Sequence, residues 1–142
     1  MSDSSTASRL TGVRLVGLFS IIAGIVLIVA GAVTWVVVTS ELKEQKITVS
    51  EDADMFGGRT VAGPFTAYAQ AEVINKHAME ATDGKTYAQL EQDDPLRTTA
   101  MNASFLRASL YTSVVAYGVA AFAVGMGLLW LLLGWSLRKL AP

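Results

Sequence analysis

Residues 15–38 read LVGLFSIIAGIVLIVAGAVTWVVV, with no charged side chain among them. A hydrocarbon core about 30 Å thick is spanned by roughly 20 apolar residues in a helix. Residues 108–137, ASLYTSVVAYGVAAFAVGMGLLWLLLGWSL, form a second uncharged stretch. The two stretches predict an all-α membrane protein built on a two-helix transmembrane hairpin. The first is too long for the roughly 7–15-residue apolar region of a signal peptide. The residues after it, Thr39 and Ser40, make a poor cleavage site, so it reads as an uncleaved anchor.

The organisation expected is a cytoplasmic tail at 1–12, a first span at 13–38 and an extracytoplasmic helical loop domain at 39–109. A second span at 110–135 and a cytoplasmic tail at 136–142 complete it. Residues 1–8 are polar and read as a disordered tail. Trp35 in the first span, and Tyr111, Tyr117, Trp130 and Trp135 in the second, sit where interfacial aromatics belong. Arg14, Arg138 and Lys139, with Arg9, lie at the outer ends of the spans and place both termini in the cytoplasm. Lys43 and Arg107, close to the spans on the loop side, work against this count.

Between the spans, residues 39–109 carry 11 acidic and 7 basic side chains, a net charge of −4. No basic nucleic-acid patch is present. Residues 46–50 alternate and predict a short strand. Residues 51–63 read as an irregular connection. Gly63-Pro64 opens a helix over 65–82, since proline is preorganised for a first turn, and Asp83-Gly84 ends it. Residues 85–92 form a further short helical turn. Asp93-Asp94-Pro95 then starts one long helix that runs through the second span to Arg138. In the 65–82 helix, Ala67, Ala71, Ile74, Ala78 and Ala81 form a stripe of mostly small side chains suited to a tight helix pair with residues 95–111.

Gly17, Gly24 and Gly31 recur every seven residues, as do Gly118 and Gly125, and Gly127 and Gly134. That period keeps small residues on one seam of a left-handed helix pair. In lipid, small side chains let backbones approach closely. Either the seams join the two spans, or one of them faces a partner; the second span has two stripes and can do both. Leucine at Gly24 or Gly125 is expected to break such contacts.

Little in the chain points to catalysis. The apolar stretches 15–38 and 108–137 hold no charged residue, whereas pumps and ion-coupled transporters usually place one in the membrane. Cysteine is absent and His77 is the single histidine, so no thiolate metal site forms and His77 reads as a surface side chain. Glu51, Asp52 and Asp54, and the pair Asp93-Asp94, lack the spacing of a calcium loop. The expectation is a chain with no catalytic, cofactor-binding or metal-ligating residue and no cofactor.

Residues 61–77, VAGPFTAYAQAEVINKH, and 101–116, MNASFLRASLYTSVVA, resemble a group of small two-span membrane proteins of actinobacteria. The resemblance covers about residues 13–138 and implies a bacterial plasma-membrane protein. Members of that group are commonly labelled aromatic ring-opening dioxygenases. Non-haem iron chemistry of that kind typically needs two histidines and a carboxylate. One histidine cannot supply that set, and we judge the label erroneous. Within the same stretches Phe65, Tyr68, Phe105, Arg107 and Tyr111 combine the residue types that dominate protein interfaces. They either meet a partner or pack the loop domain internally.

The functional expectation is an accessory or structural subunit of a larger membrane complex, with a respiratory assembly as one possible host. Its partners are the lipid bilayer and other membrane subunits or a second copy of itself, and no nucleic acid. The alternative is a stand-alone homo-oligomer that binds or senses a ligand through its acidic outer domain.

Overall fold

The computed structural model describes the backbone of residues 3–140 and the side chains of residues 11–140. Three α-helices follow in order: α1 over Asp3–Glu44, α2 over Pro64–Ala81 and α3 over Arg97–Leu140, with a short 3-10 turn at Tyr87–Gln89. Helix α1 is rich in Val and Ile, which favour strands in water. In hydrocarbon a single segment can satisfy its backbone polar groups only as a helix. Both α1 and α3 are long and apolar enough to cross a membrane. Their most apolar windows are 11% and 17% buried, whereas a core helix of a water-soluble domain would be mostly covered.

Two compact units are present. The first combines residues 1–35 and 118–142, in which α1 and α3 run antiparallel and pack on each other. The second comprises residues 36–117. Its core holds Leu42, Val49, Val61, Ala67, Ala69, Ala71, Leu110 and Tyr117. Within it Tyr117 Oη lies 2.7 Å from Thr39 Oγ1.

Both ends of α2 follow from local chemistry. Gly63 is extended at the N-cap and Pro64 occupies the first turn. Thr66 Oγ1 accepts from the backbone N–H of Ala62 and Gly63 at 3.1 and 3.2 Å. At the other end Asp83 and Gly84 adopt positive φ, 51° and 78°, and Gly84 N–H bonds to Met79 O at 2.7 Å. This reversal satisfies carbonyls that the helix leaves open.

The structure departs from the expectations in four places. Helix α3 starts at Arg97, because Asp94 Oδ1 accepts from Leu96 N–H at 2.8 Å and holds Asp94, Pro95 and Leu96 in a turn. The alternating stretch at 46–50 forms a single antiparallel bridge, Thr48 with Thr60, in place of a strand. Val49 N–H donates to Arg59 O and Val61 N–H to Ile47 O, each at 2.8 Å. So residues 51–63, expected to be irregular, fold back as a hairpin-like loop that buries Val49 and Val61. Finally, α1 extends beyond the apolar stretch at both ends, through Asp3 and Glu44. Adding residues to an existing helix is far cheaper than nucleating one, so the backbone of residues 3–8 is helical where a tail was expected. The side chain of Arg9 lies outside the described residues.

Candidate interface surfaces

The glycine stripes separate into a closed seam and an open face. A Cβ placed on Gly24 would lie 2.6 Å from Gly127 O and 2.9 Å from Leu131 N. One on Gly31 would lie 2.6 Å from Ala120 O, and one on Gly17 would lie 2.9 Å from Gly134 O. Reciprocally, Gly127 and Gly134 would meet Gly24 O at 2.6 Å and Gly17 O at 2.5 Å. Real Cβ atoms do not approach backbone oxygens this closely, so glycine is required at each of these places. Gly118 and Gly125 are different: nothing lies within 4 Å of their Cβ positions. At about 100° per residue, Gly125 and Gly127 point roughly 200° apart. One stripe of α3 therefore faces α1 and the other faces away. The expectation that leucine at either Gly24 or Gly125 breaks an existing contact holds within this chain only for Gly24.

Of the five candidate interface residues, three converge. The rings of Tyr68 and Tyr111 meet edge to face at 6.0 Å. The Arg107 guanidinium lies 5.7 Å from the Tyr111 ring centre. The Tyr111 hydroxyl donates to Glu72 Oε1. Arg107 and Tyr111 are half-buried between α2 and α3, so much of their surface is spent on internal packing. Phe65 and Phe105 stand apart, 74% and 65% exposed. Phe105 and Arg107 sit two positions apart on one helix and face opposite ways, so the five do not form one continuous surface.

Sequence reasoning missed Glu72 and Met55. Glu72 follows Tyr68 by one helical turn, so its place on the same face was readable from spacing. Met55, 60% exposed, sits in the 51–63 loop, and no periodicity announces it. Together with Tyr68, Glu72, Asp52, Asp54 and Lys76 it lines a cleft of about 240 Å³. Three carboxylates against one ammonium make this cleft acidic.

His77 is a half-exposed anchor for that loop: its Nε2 lies 2.7 Å from Asp52 Oδ2, and Lys76 Nζ lies 3.4 Å from the same oxygen. The hydrogen bond from His77, more than any other influence, holds the Asp52 carboxyl below its ordinary value of 3.8. A depressed carboxyl favours the folded state above pH 3.8, and the contribution is lost as the pH falls through the lower folded value. In His77→Ala the Asp52 midpoint, followed by carboxyl NMR, is expected to rise towards 3.8. An unchanged midpoint would remove His77 as the cause. Among the described residues no three His, Asp or Glu side chains are placed to hold a metal ion.

By class, then, this is an all-helical protein with two helices long and apolar enough to cross a membrane. No family model, curated protein or solved structure matches the chain.

Proposed function

We propose that the protein is a non-enzymatic accessory subunit of a larger complex in a bacterial plasma membrane. Helices α1 and α3 cross the bilayer as a hairpin, with the loop domain of residues 39–109 outside and both termini in the cytoplasm. The carrying observation is the exposure of large apolar side chains on the 36–117 unit: Phe65, Phe105, Met55 and, by half, Tyr68. Exposed aromatic side chains of this kind anchor protein contacts where they meet a partner. Two further points support the reading. The apolar stretches 15–38 and 108–137 hold no charged residue that would mark an ion path, and basic residues cluster at their outer ends. A respiratory or other energy-transducing assembly is a suitable host, and the resemblance to actinobacterial two-span proteins agrees with the location.

The test is affinity purification of the tagged protein from its native membrane in a mild detergent, with mass spectrometry of what accompanies it. Partner subunits in fixed ratio are expected. Recovery of the protein alone would refute the proposal. Phe65→Ala should release the partner while changing the protein's own stability by no more than about 0.5 kcal/mol, as for other exposed positions. Co-purification at the wild-type ratio would exclude Phe65 from the contact.

The second reading is a homo-oligomer that binds or senses a ligand through its acidic outer domain. The open Gly118 and Gly125 face of α3 favours it. Recovery as a homo-oligomer without other subunits would select it.

A further inference from the structure

Helix α2 runs antiparallel to the first turns of α3. Tyr111 meets Tyr68 and Glu72, and towards the other end Asn75, Ala78 and Met79 share a small hollow with Ala100, Ala103 and Arg107. With a rise of about 1.5 Å per residue in both helices, this register puts Phe65 level with about residue 116 of α3. The uncharged stretch of α3 begins at Ala108. Roughly 20 residues cross the hydrocarbon core; centred on 108–137, they leave about five at each end in the headgroup layer. Phe65 therefore stands at the inner edge of that layer. The local sequence agrees: residues 60–71, TVAGPFTAYAQA, form the longest run without a charged side chain in 39–109. Phe65 is largely exposed, as is Val115 at its level on α3.

Resting on the accessory-subunit reading, we propose that the partner met at Phe65 is itself a membrane-spanning subunit, one of whose transmembrane helices packs at headgroup depth against α2. The depth decides the chemistry of the partner. A water-soluble protein would bring the polar, hydrated rim of its interface into the layer beside the hydrocarbon. A transmembrane helix already holds apolar side chains at that level. The surface around Phe65 suits one. An open hollow of about 460 Å³ is lined by Ala62, Gly63, Pro64 and Phe65 among others, with Arg59 its one charged group. Nothing lies within 4 Å of the Cβ position of Gly63, so a neighbouring backbone can come close there, as small residues allow between helices in lipid. The Phe65 ring, standing beside the hollow, is the anchor of the contact.

Two measurements on the full chain test this. The first reads depth without any partner. Phe65→Cys and Glu80→Cys, each the only cysteine of its chain, carry a nitroxide label in phosphatidylethanolamine–phosphatidylglycerol vesicles. Glu80 is exposed and lies roughly 22 Å further along α2. The ratio of relaxation by oxygen to relaxation by a water-soluble nickel chelate should be severalfold higher at 65 than at 80; equal ratios overturn the proposal. The second reads the partner. A benzophenone amino acid in place of Phe65 is irradiated in native membranes, with and without prior stripping by alkaline carbonate, which removes peripheral proteins. A protein adduct of unchanged yield after stripping is expected. Loss of the adduct on stripping, or adducts with lipid alone, overturn the proposal. Where partner subunits still co-purify with the unsubstituted protein, such a result leaves the accessory-subunit reading standing. Recovery of the unsubstituted protein alone removes that reading and this inference together.

Discussion

Gly24→Leu is expected to destabilise the α1–α3 pair by about 3 kcal/mol or more, the upper range of overpacking penalties. The reason is geometric. A Cβ at this position falls 2.6 Å from Gly127 O and 2.9 Å from Leu131 N, and backbone atoms cannot swing aside as a side chain does. Even Gly24→Ala should cost a measurable part of this, because the clash begins at Cβ. Gly125→Leu is the internal control: nothing stands within 4 Å of its Cβ position, so the stability of the single chain should be unchanged. Chemical unfolding in micelles, followed by circular dichroism, reads both variants. Equal loss at Gly24 and Gly125 would contradict the assignment of the seam. Where Gly125→Leu changes only the assembly state, the open face has a partner in another chain.

Tyr117→Ala should destabilise the 36–117 unit by about 3–5 kcal/mol, the range for removing a large buried aromatic. Tyr117 is 1% exposed and belongs to the same core as Leu42, Val49, Val61 and Leu110. Its ring fills space that neighbouring alanines, Ala67 and Ala71, are too short to occupy, so the cavity left behind cannot collapse easily. Tyr117→Phe keeps the ring and removes the contact with Thr39 Oγ1 at 2.7 Å, and should cost about 1 kcal/mol. The order Ala well below Phe separates packing from hydrogen bonding. A loss for Tyr117→Ala no greater than that for Tyr117→Phe would show that the ring is not a core element.

The two long helices were legible because their signal is compositional: some 20 apolar residues in a row leave the backbone one solution in lipid. The boundaries of α2 were legible for a different reason, since Gly63-Pro64 and Asp83-Gly84 are chemically committed to starting and ending a helix. What the sequence could not reveal was orientation around a helix axis. The period of seven showed that Gly118, Gly125, Gly127 and Gly134 fall on two stripes, but which stripe meets α1 depends on the partner helix. The arrangement of the candidate interface residues depended on the same orientation. Phe105, Arg107 and Tyr111 are close in sequence, yet Phe105 faces away from the other two. The 46–50 stretch shows the limit of alternation as a signal, because a strand also needs a neighbour of matching length, and the 51–63 loop offers pairing at only one bridge.

The proposed topology, two crossings with the loop domain of residues 39–109 outside, is tested most directly by cysteine accessibility. The chain contains no cysteine, so single substitutions report without background. Glu91→Cys lies on an exposed turn of the 36–117 unit, and Ser4→Cys lies near the N-terminus. In intact cells a membrane-impermeant maleimide should label Glu91→Cys at once, and Ser4→Cys only after the membrane is permeabilised. Equal labelling of both positions in intact cells, or the reverse order, would contradict the account.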